Sequence, residues 1–220
     1  SNPAKPMGRK RVLKHTDVGS YSLQNNIELI ELDSFNNDTI YKKLLSLNVD
    51  IFVVVAFRIL PEKYISIPKF GSINLHASLL PSYRGAAPIQ WALMNGDKTT
   101  GVSVFQIEKK VDTGKIITQA KIDIDKNDNY EILSNKLSKV GAGALVEALN
   151  NLEEGEVDYN KQDKSLVTKA PKISKEMLRI QWDWPAAKIN NWVRGLSPKP
   201  CMMAIFQNKR TKILKTLVLD

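Results

Sequence analysis

The chain has 220 residues, of which 43% are hydrophobic and 25% charged, a composition typical of a folded globular protein. Its longest apolar run, at 51–57, is too short to cross a bilayer, and the first residues lack the pattern of a secretion signal, so we expect a cytoplasmic protein with no membrane contact. One cysteine and two histidines provide neither an internal disulfide nor a zinc-site spacing, so we expect no metal.

The positive charge of the chain is its second global feature. Lysine and arginine outnumber the acidic residues 32 to 23, which gives a net charge of +9. A field of this sign attracts polyanions, so nucleic acid is a plausible partner. Because solubility alone also accounts for a basic chain, the charge needs a second observation before it supports that partner.

The predicted elements alternate between strands and helices. The first residues, with prolines and a run of lysine and arginine, read as an exposed basic loop. The β-branched run at 51–57 is typical of a strand buried on both faces of a parallel sheet. The other predicted elements are strands at 27–32, 72–77, 101–107 and 115–124, and helices from about 38 to 47, from Pro88 to before Gly96, and from about 130 to 152.

This order predicts an α/β fold with a doubly wound, mostly parallel sheet. We expect one domain at 1–156 and a polar, lysine-rich linker at 157–175. A further helix and two strands at 176–220 are interpreted as the beginning of a smaller, β-rich second domain that is incomplete.

The candidate chemistry begins at Asn74 and His76, which are two residues apart on a predicted strand and therefore share one face. A neutral imidazole exchanges protons near pH 7, and the carboxamide of Asn74 can donate a hydrogen bond to a developing oxyanion. Asp112, in the Asp-Thr-Gly turn, is the best-placed carboxylate to orient the imidazole. When each residue is taken alone, the favoured interpretations are a buried structural histidine, a turn-capping asparagine and a simple bend.

Two longer stretches make the pattern specific. "NLHASLLPSYRGAAPIQWAL" followed by "VDTGKII" resembles the folate-dependent formyltransferases, and the resemblance covers almost the entire chain. The basic loop "KPMGRKR" and the stretch from 172 to 200 resemble those family members that act on the methionyl initiator tRNA. The family has a Rossmann-like fold and an OB-like C-terminal domain that binds tRNA.

The resemblance implies functional residues. The family's catalytic amide, imidazole and carboxylate fall on Asn74, His76 and Asp112. The formyl donor implied is 10-formyltetrahydrofolate, and the acceptor is the α-amine of methionine on initiator tRNA, a reaction of translation initiation; the resemblance implies no metal. We expect the full-length protein to be a monomer. The folate-contacting stretch implied is Ser78, Leu79, Leu80 and Pro81, and the residues expected near tRNA are Arg9, Lys10, Arg11 and Arg84, the last of which equally well fits a solvated loop arginine.

Two departures from the family pattern stand out. The strand, glycine-rich turn and helix that normally precede the basic loop are not seen in this sequence, so the first domain is expected to be incomplete and to lack its first strand. In "VVVAFRILP", Arg58 stands where many relatives have a glycine and one more residue beside the folate pterin. Backbone groups of Arg58, Ile59 and Leu60 are still expected to hold the pterin.

Two alternative functions stay open: a formyltransferase for a purine precursor or nucleotide sugar, and a non-catalytic RNA-binding relative.

Overall fold

The computed structural model describes residues 1–7 and 11–219. The chain divides into two compact units, residues 1–72 and 73–220. Within the described part of the chain, no helix is both long enough and apolar enough to span a membrane. The same residues contain no group of three or more histidine, cysteine, aspartate or glutamate side chains arranged to hold a metal ion.

The first unit opens with a hairpin where the sequence predicted a loop. Two short strands pair antiparallel, with Lys5 opposite Lys14 and Pro6 opposite Leu13. The elements of this unit are β1 (Lys5–Met7), β2 (Val12–Lys14), α1 (Asp17–Gln24), α2 (Asp38–Ser46), β3 (Phe52–Val55) and α3 (Glu62–Ile65). Helix α2 is confirmed, and its Asn37 cap accepts a hydrogen bond from the Ile40 N–H at 3.2 Å.

The strand predicted at 27–32 is wrong. These residues form no strand; the Ser1 nitrogen donates to Ile30 O at 2.9 Å, and the Leu32 N–H donates to Ser1 O at 2.9 Å. Strand propensity produces a strand only where a neighbouring strand completes the ladder.

Strand β3 forms within the predicted apolar run but is less buried than expected. Its Val53 and Val55 side chains are 41% and 47% exposed, whereas Phe52 and Val54 are half-buried. The strand therefore alternates in burial and does not match the expectation of a strand covered on both faces.

The second unit contains the predicted sheet and helices. Its elements are β4 (Ser72–His76), α4 (Pro88–Asn95), β5 (Thr99–Gln106), β6 (Ile116–Asp123), α5 (Tyr130–Glu154), α6 (Ala186–Leu196), β7 (Met202–Phe206) and β8 (Lys209–Ile213). Helix α4 begins at Pro88, and Gly96 follows its end in the left-handed conformation (φ 75°), as the sequence predicted.

The strands in this unit pair antiparallel. His76 lies opposite Ser103 in the β4–β5 pair, and Ser103 lies opposite Gln119 in the β5–β6 pair. Strand β5 thus begins at the end of the sheet where β4 stops, so the 77–98 connection stays at that end instead of crossing the sheet. This part of the sheet differs from the parallel pairing that we expected for β4.

Helix α5 covers one face of the sheet. Leu133, Leu137 and Ala144 are buried along the predicted stripe. Gly141 lies on the same stripe, where an added Cβ would come within 2.9 Å of the Leu75 side chain, so the helix and β4 approach closely here. Because neighbouring strand residues face opposite sides, Asn74 and His76 point away from α5.

Helix α6 and strand β7 of the C-terminal segment pack against helix α4. Val193 and Leu196 of α6 form a buried cluster with Met94 of α4 and Met202 of β7. Strands β7 and β8 form the predicted hairpin. The division into domains at 1–156, 157–175 and 176–220 stays a prediction.

Candidate active site

Asn74 and His76 project from the face of β4 that lies away from α5, opposite Phe105 and Ser103 of β5. His76 is buried, with 7% of its surface exposed, and Asn74 is half-buried. Among the residues that the structure describes, no group hydrogen-bonds the Asn74 carboxamide. A half-buried amide without a protein partner is available to a ligand.

Both ring nitrogens of His76 face a defined oxygen. Nε2 lies 2.9 Å from the backbone oxygen of Tyr83, and because a carbonyl only accepts, Nε2 carries a proton and donates it. Nδ1 lies 3.9 Å from Oδ2 of Asp112, and the two side chains are 8% and 10% exposed. This distance is too long for a direct hydrogen bond but is short enough for charge attraction, and one water or ligand atom can bridge it. Asp112, the carboxylate that the sequence singled out, therefore lies beside His76, and the catalytic roles of the two residues stay a prediction.

Tyr83 fixes the position of the oxygen that accepts from His76. Its backbone is in the left-handed region (φ 61°), and its hydroxyl donates to Asp97 Oδ2 at 2.6 Å and accepts from Asn95 Nδ2 at 2.9 Å. Burial, followed by the hydrogen bond to Asp97, raises the pKa of Tyr83 from its usual 10.0 to about 12. The phenol is thus held neutral as an anchor for this loop.

Asp112 is held from two directions. Its Oδ2 accepts the Gly85 N–H at 2.8 Å, and its backbone oxygen accepts from Gln162 Nε2 at 3.0 Å. Its own backbone is left-handed (φ 54°), a costly conformation for a residue with a Cβ. The carboxylate is therefore placed by its neighbours and not by local preference.

The glycine of the Asp-Thr-Gly turn is required by close packing. A Cβ at Gly114 would collide with the backbone oxygen of Gln106, at the end of β5. A glycine in the second half of α5, Gly143, has open space around the same position.

We expect Gly114→Ala to lower the free energy of unfolding by about 1–3 kcal/mol, because the turn must move to admit the methyl group. The matched variant Gly143→Ala is expected to raise it by about 0.5–1 kcal/mol, since alanine is the better helix former. Urea denaturation of both variants checks this pair. Equal stability of Gly114→Ala and the unsubstituted protein would contradict the close approach.

The stretch Ser78–Pro81 lies over β5 on the same face as His76. Ser103 Oγ joins the two, since it donates to Ser78 O at 2.7 Å and accepts the Leu80 N–H at 2.9 Å. The hydroxyl of Ser78 donates to Ser82 O at 2.6 Å, and Leu80 is buried with Phe105 and Ile116. The Ser78 hydroxyl, the Ser78 carbonyl and the Leu80 N–H are therefore already hydrogen-bonded within the protein.

Arg58 serves the first unit internally. Its guanidinium donates to the backbone oxygens of Leu32 and Asp33 and lies 4.8 Å from the Phe35 ring centre and 5.1 Å from that of Phe57. Ile59 beside it is 72% exposed, and Leu60 is half-buried. The arginine that departs from the family pattern thus braces residues 32–35.

The residues expected near tRNA have different surroundings. Arg9 and Lys10 lie outside the described residues, and Arg11 is an exposed residue in the turn before β2 (φ 49°). Arg84 is not a solvated loop arginine, because its Nε and Nη2 donate to Gln162 Oε1 at 3.1 and 2.6 Å.

Sequence reasoning missed Tyr83, Gly85 and Gln162, which place His76 and Asp112. Tyr83 and Gly85 contribute backbone groups, and backbone contacts leave no signature in side-chain type. Gln162 is 50 positions from Asp112, inside a polar segment without periodicity. No local signal pointed to it.

An amide, an imidazole and a carboxylate beside a β-strand define a site suited to acyl transfer, and family profiles agree with this class. The profile "Formyl transferase" matches residues 1–149, and "Formyl transferase, C-terminal domain" matches residues 172–220. The chain belongs to the formyl transferase family. These matches confirm the resemblance and the Rossmann-like formyltransferase fold class that the sequence predicted.

Curated relatives carry a more particular name. A methionyl-tRNA formyltransferase of Thermodesulfovibrio yellowstonii is 44% identical, with 100% of this chain and 71% of the relative covered. One of Chlorobium limicola is 41% identical, with 98% and 68% covered. Among solved structures, a 4-N formyltransferase from Francisella tularensis has a TM-score of 0.74 at 16% identity, with 92% of this chain and 83% of that chain covered. At that identity it shares the fold alone.

Proposed function

We propose that this protein transfers the formyl group of 10-formyltetrahydrofolate to the α-amine of methionine on initiator tRNA. The observation that carries the proposal is the amide of Asn74, which has no hydrogen-bond partner among the described residues and lies on the same strand face as His76 of the His76–Asp112 pair. Relatives of 41–44% identity that bear the name methionyl-tRNA formyltransferase support this choice of acceptor.

The reaction needs a donor for a developing oxyanion. The neutral amine attacks the formyl carbon, the carbon–oxygen π electrons move to oxygen, and a tetrahedral species with a negative oxygen results. The Asn74 N–H groups, with no protein acceptor among the described residues to compete for them, would donate to that oxygen. Hydrogen bonds to such an oxygen are worth more in the transition state than in the ground state.

Collapse of the tetrahedral species requires proton movement. The carbon–nitrogen bond to the folate N10 breaks, the electron pair goes to N10, and N10 takes up a proton while the attacking nitrogen loses one. Because Nε2 of His76 already donates to Tyr83 O, Nδ1 is the nitrogen free to exchange this proton, directly or through water. Asp112, 3.9 Å away, would stabilise the imidazolium that carries it.

The folate contacts are proposed at two places. In the second unit, Ser78–Pro81 would contribute its remaining backbone groups and the half-buried Leu79 side chain. In the first unit, backbone groups of Arg58, Ile59 and Leu60 would contact the pterin, while Nη1 and Nη2 of Arg58 donate to Asp33 O and Leu32 O.

The acceptor is proposed to contact the basic residues Arg9, Lys10 and Arg11. If Arg9, Lys10 and Arg11 each touch one phosphate of a single-stranded acceptor end, replacing all three with alanine should reduce the slope of log affinity against log salt by about 2. The measurement is tRNA affinity at several salt concentrations. A matched variant that replaces three exposed lysines of the second unit, Lys126, Lys139 and Lys161, should keep the slope.

An equal loss of slope in both triple variants would contradict a local contact, because it would show that only net charge matters. A loss of affinity without a change of slope would likewise contradict phosphate contacts.

The direct test of function uses labelled 10-formyltetrahydrofolate and three acceptors side by side: methionyl initiator tRNA, an amino sugar nucleotide and a purine-precursor amine. Label is expected on the methionyl amine alone. Transfer to one of the other acceptors would assign a different formyltransferase. Tight tRNA binding with no transfer to any acceptor would assign a binding protein.

A further inference from the structure

The segment 160–170, expected to be part of a linker, binds the loops that form the candidate site. At one end Asn160 exchanges two backbone hydrogen bonds with Ile116, at 2.8 and 2.9 Å. At the other end the Ala170 N–H donates to Arg84 O at 2.7 Å, and Ala170 O accepts from Ala87 at 3.1 Å. We name residues 160–170 the strap.

Gln162 is the strap residue that reaches the catalytic turn. Its Nε2 donates to Asp112 O at 3.0 Å and to Gly114 O at 2.7 Å, and its Oε1 accepts from Nε and Nη2 of Arg84. A glutamine amide has two donor hydrogens and two acceptor lone pairs, so all four are used. A half-buried glutamine with every hydrogen bond satisfied by the protein has a fixed orientation.

We propose that Gln162 is a positioning residue for Asp112 in formyl transfer, an inference that rests on the proposed function. Gln162 does not touch His76 or the reacting groups. It clamps the carbonyls on both sides of Thr113, and this clamp holds Asp112 in its left-handed conformation with Oδ2 facing His76.

The strained backbone explains why an external clamp is needed. A non-glycine residue at φ 54° relaxes unless its surroundings hold it. Gly85 holds the carboxylate of Asp112, but only Gln162, among the described residues, donates to its backbone oxygen. A displacement of about 1 Å at a catalytic group reduces rate by up to about 100-fold.

The test removes the donors of Gln162 and keeps its shape. Gln162→Glu retains an oxygen for Arg84 but has no N–H for Asp112 or Gly114. We expect kcat to fall by about 10- to 100-fold, while KM for the folate donor changes by less than about twofold, because the hydrogen bonds of Gln162 reach neither Asn74 nor the Ser78–Pro81 stretch. Gln162→Met, which adds no charge, should behave alike. The control is Lys161→Ala, an exposed neighbour that should keep wild-type kcat.

A double-mutant cycle separates positioning from general stabilisation. In an Asp112→Asn background, Gln162→Glu should change kcat by less than about twofold, because the carboxylate that it positions is gone. The same fold loss in both backgrounds would overturn the proposal. Unchanged kcat in both Gln162 variants would also overturn it.

Amide hydrogen exchange tests the clamp without relying on activity. Exchange across residues 110–115 should become faster in Gln162→Met and stay unchanged in Lys161→Ala. If the wild-type protein transfers no formyl group, the proposed function fails, and faster exchange in this turn would still support the clamp. Unchanged exchange would overturn the clamp whatever the activity.

Discussion

Replacing His76 with glutamine is expected to reduce kcat for formyl transfer by about 100-fold or more. Glutamine can still donate to the Tyr83 oxygen, so the 2.9 Å contact that packs this side chain has a substitute. It cannot take up and release a proton near neutral pH, and it cannot form a cation opposite Asp112. The loss should therefore appear in kcat, with tRNA affinity unchanged.

The chain provides a matched control in its other histidine. His15 pairs with Glu31 at 2.9 Å in the first unit. His15→Gln should keep kcat within about twofold of wild type, a bound that follows from the small effects usual for substitutions outside a site. If His76→Gln retains wild-type turnover in a folded protein, the proton-transfer role that we propose is wrong.

Asn74→Ala is expected to lower kcat by about 100-fold or more while leaving thermal stability nearly unchanged. The carboxamide has no hydrogen-bond partner among the described residues, so its removal breaks no such bond within that part of the folded protein. The substitution is therefore expected to change activity without changing stability. Single-turnover transfer rates and melting temperatures of the same samples provide the measurement.

Asn74→Asp adds a sharper comparison. The aspartate keeps the shape but replaces the donor with a second negative charge on the strand face that carries His76. It should be at least as inactive as alanine, because a carboxylate repels a developing oxyanion. A surface variant on α5, Asn135→Ala, should be fully active. Full activity of Asn74→Ala would remove the oxyanion role.

The sequence predicted the parts of the site that depend on local geometry. Alternation along a strand puts Asn74 and His76 on one face whichever way the neighbouring strand runs, so the antiparallel pairing of β4 with β5 did not disturb that inference. Helix α4 was predicted because proline and glycine mark its two ends.

Features that depend on distant partners were not predictable in the same way. Residues 27–32 have strand propensity, but their backbone groups bond to Ser1 instead of a strand. The side chain of Arg58 donates from Nη1 and Nη2 to Asp33 O and Leu32 O, contacts that the sequence did not predict, while a backbone contact of Arg58 to the pterin stays a prediction. In both cases the contact that determines the local structure joins residues far apart in the chain, and such a contact cannot be predicted from local sequence.

The strap also determines where this protein can be joined to another. An exchange of C-terminal segments between relatives would naturally be placed in the predicted linker at 157–175. A junction inside the strap would place a foreign glutamine or backbone against the native Arg84 and Gly85. Space there is limited, because Ala170 O lies 2.6 Å from the position of a Cβ added at Gly85. A junction after Pro171 keeps the strap with the loops that it binds, although the packing of α6 and β7 against Met94 of α4 still crosses that junction.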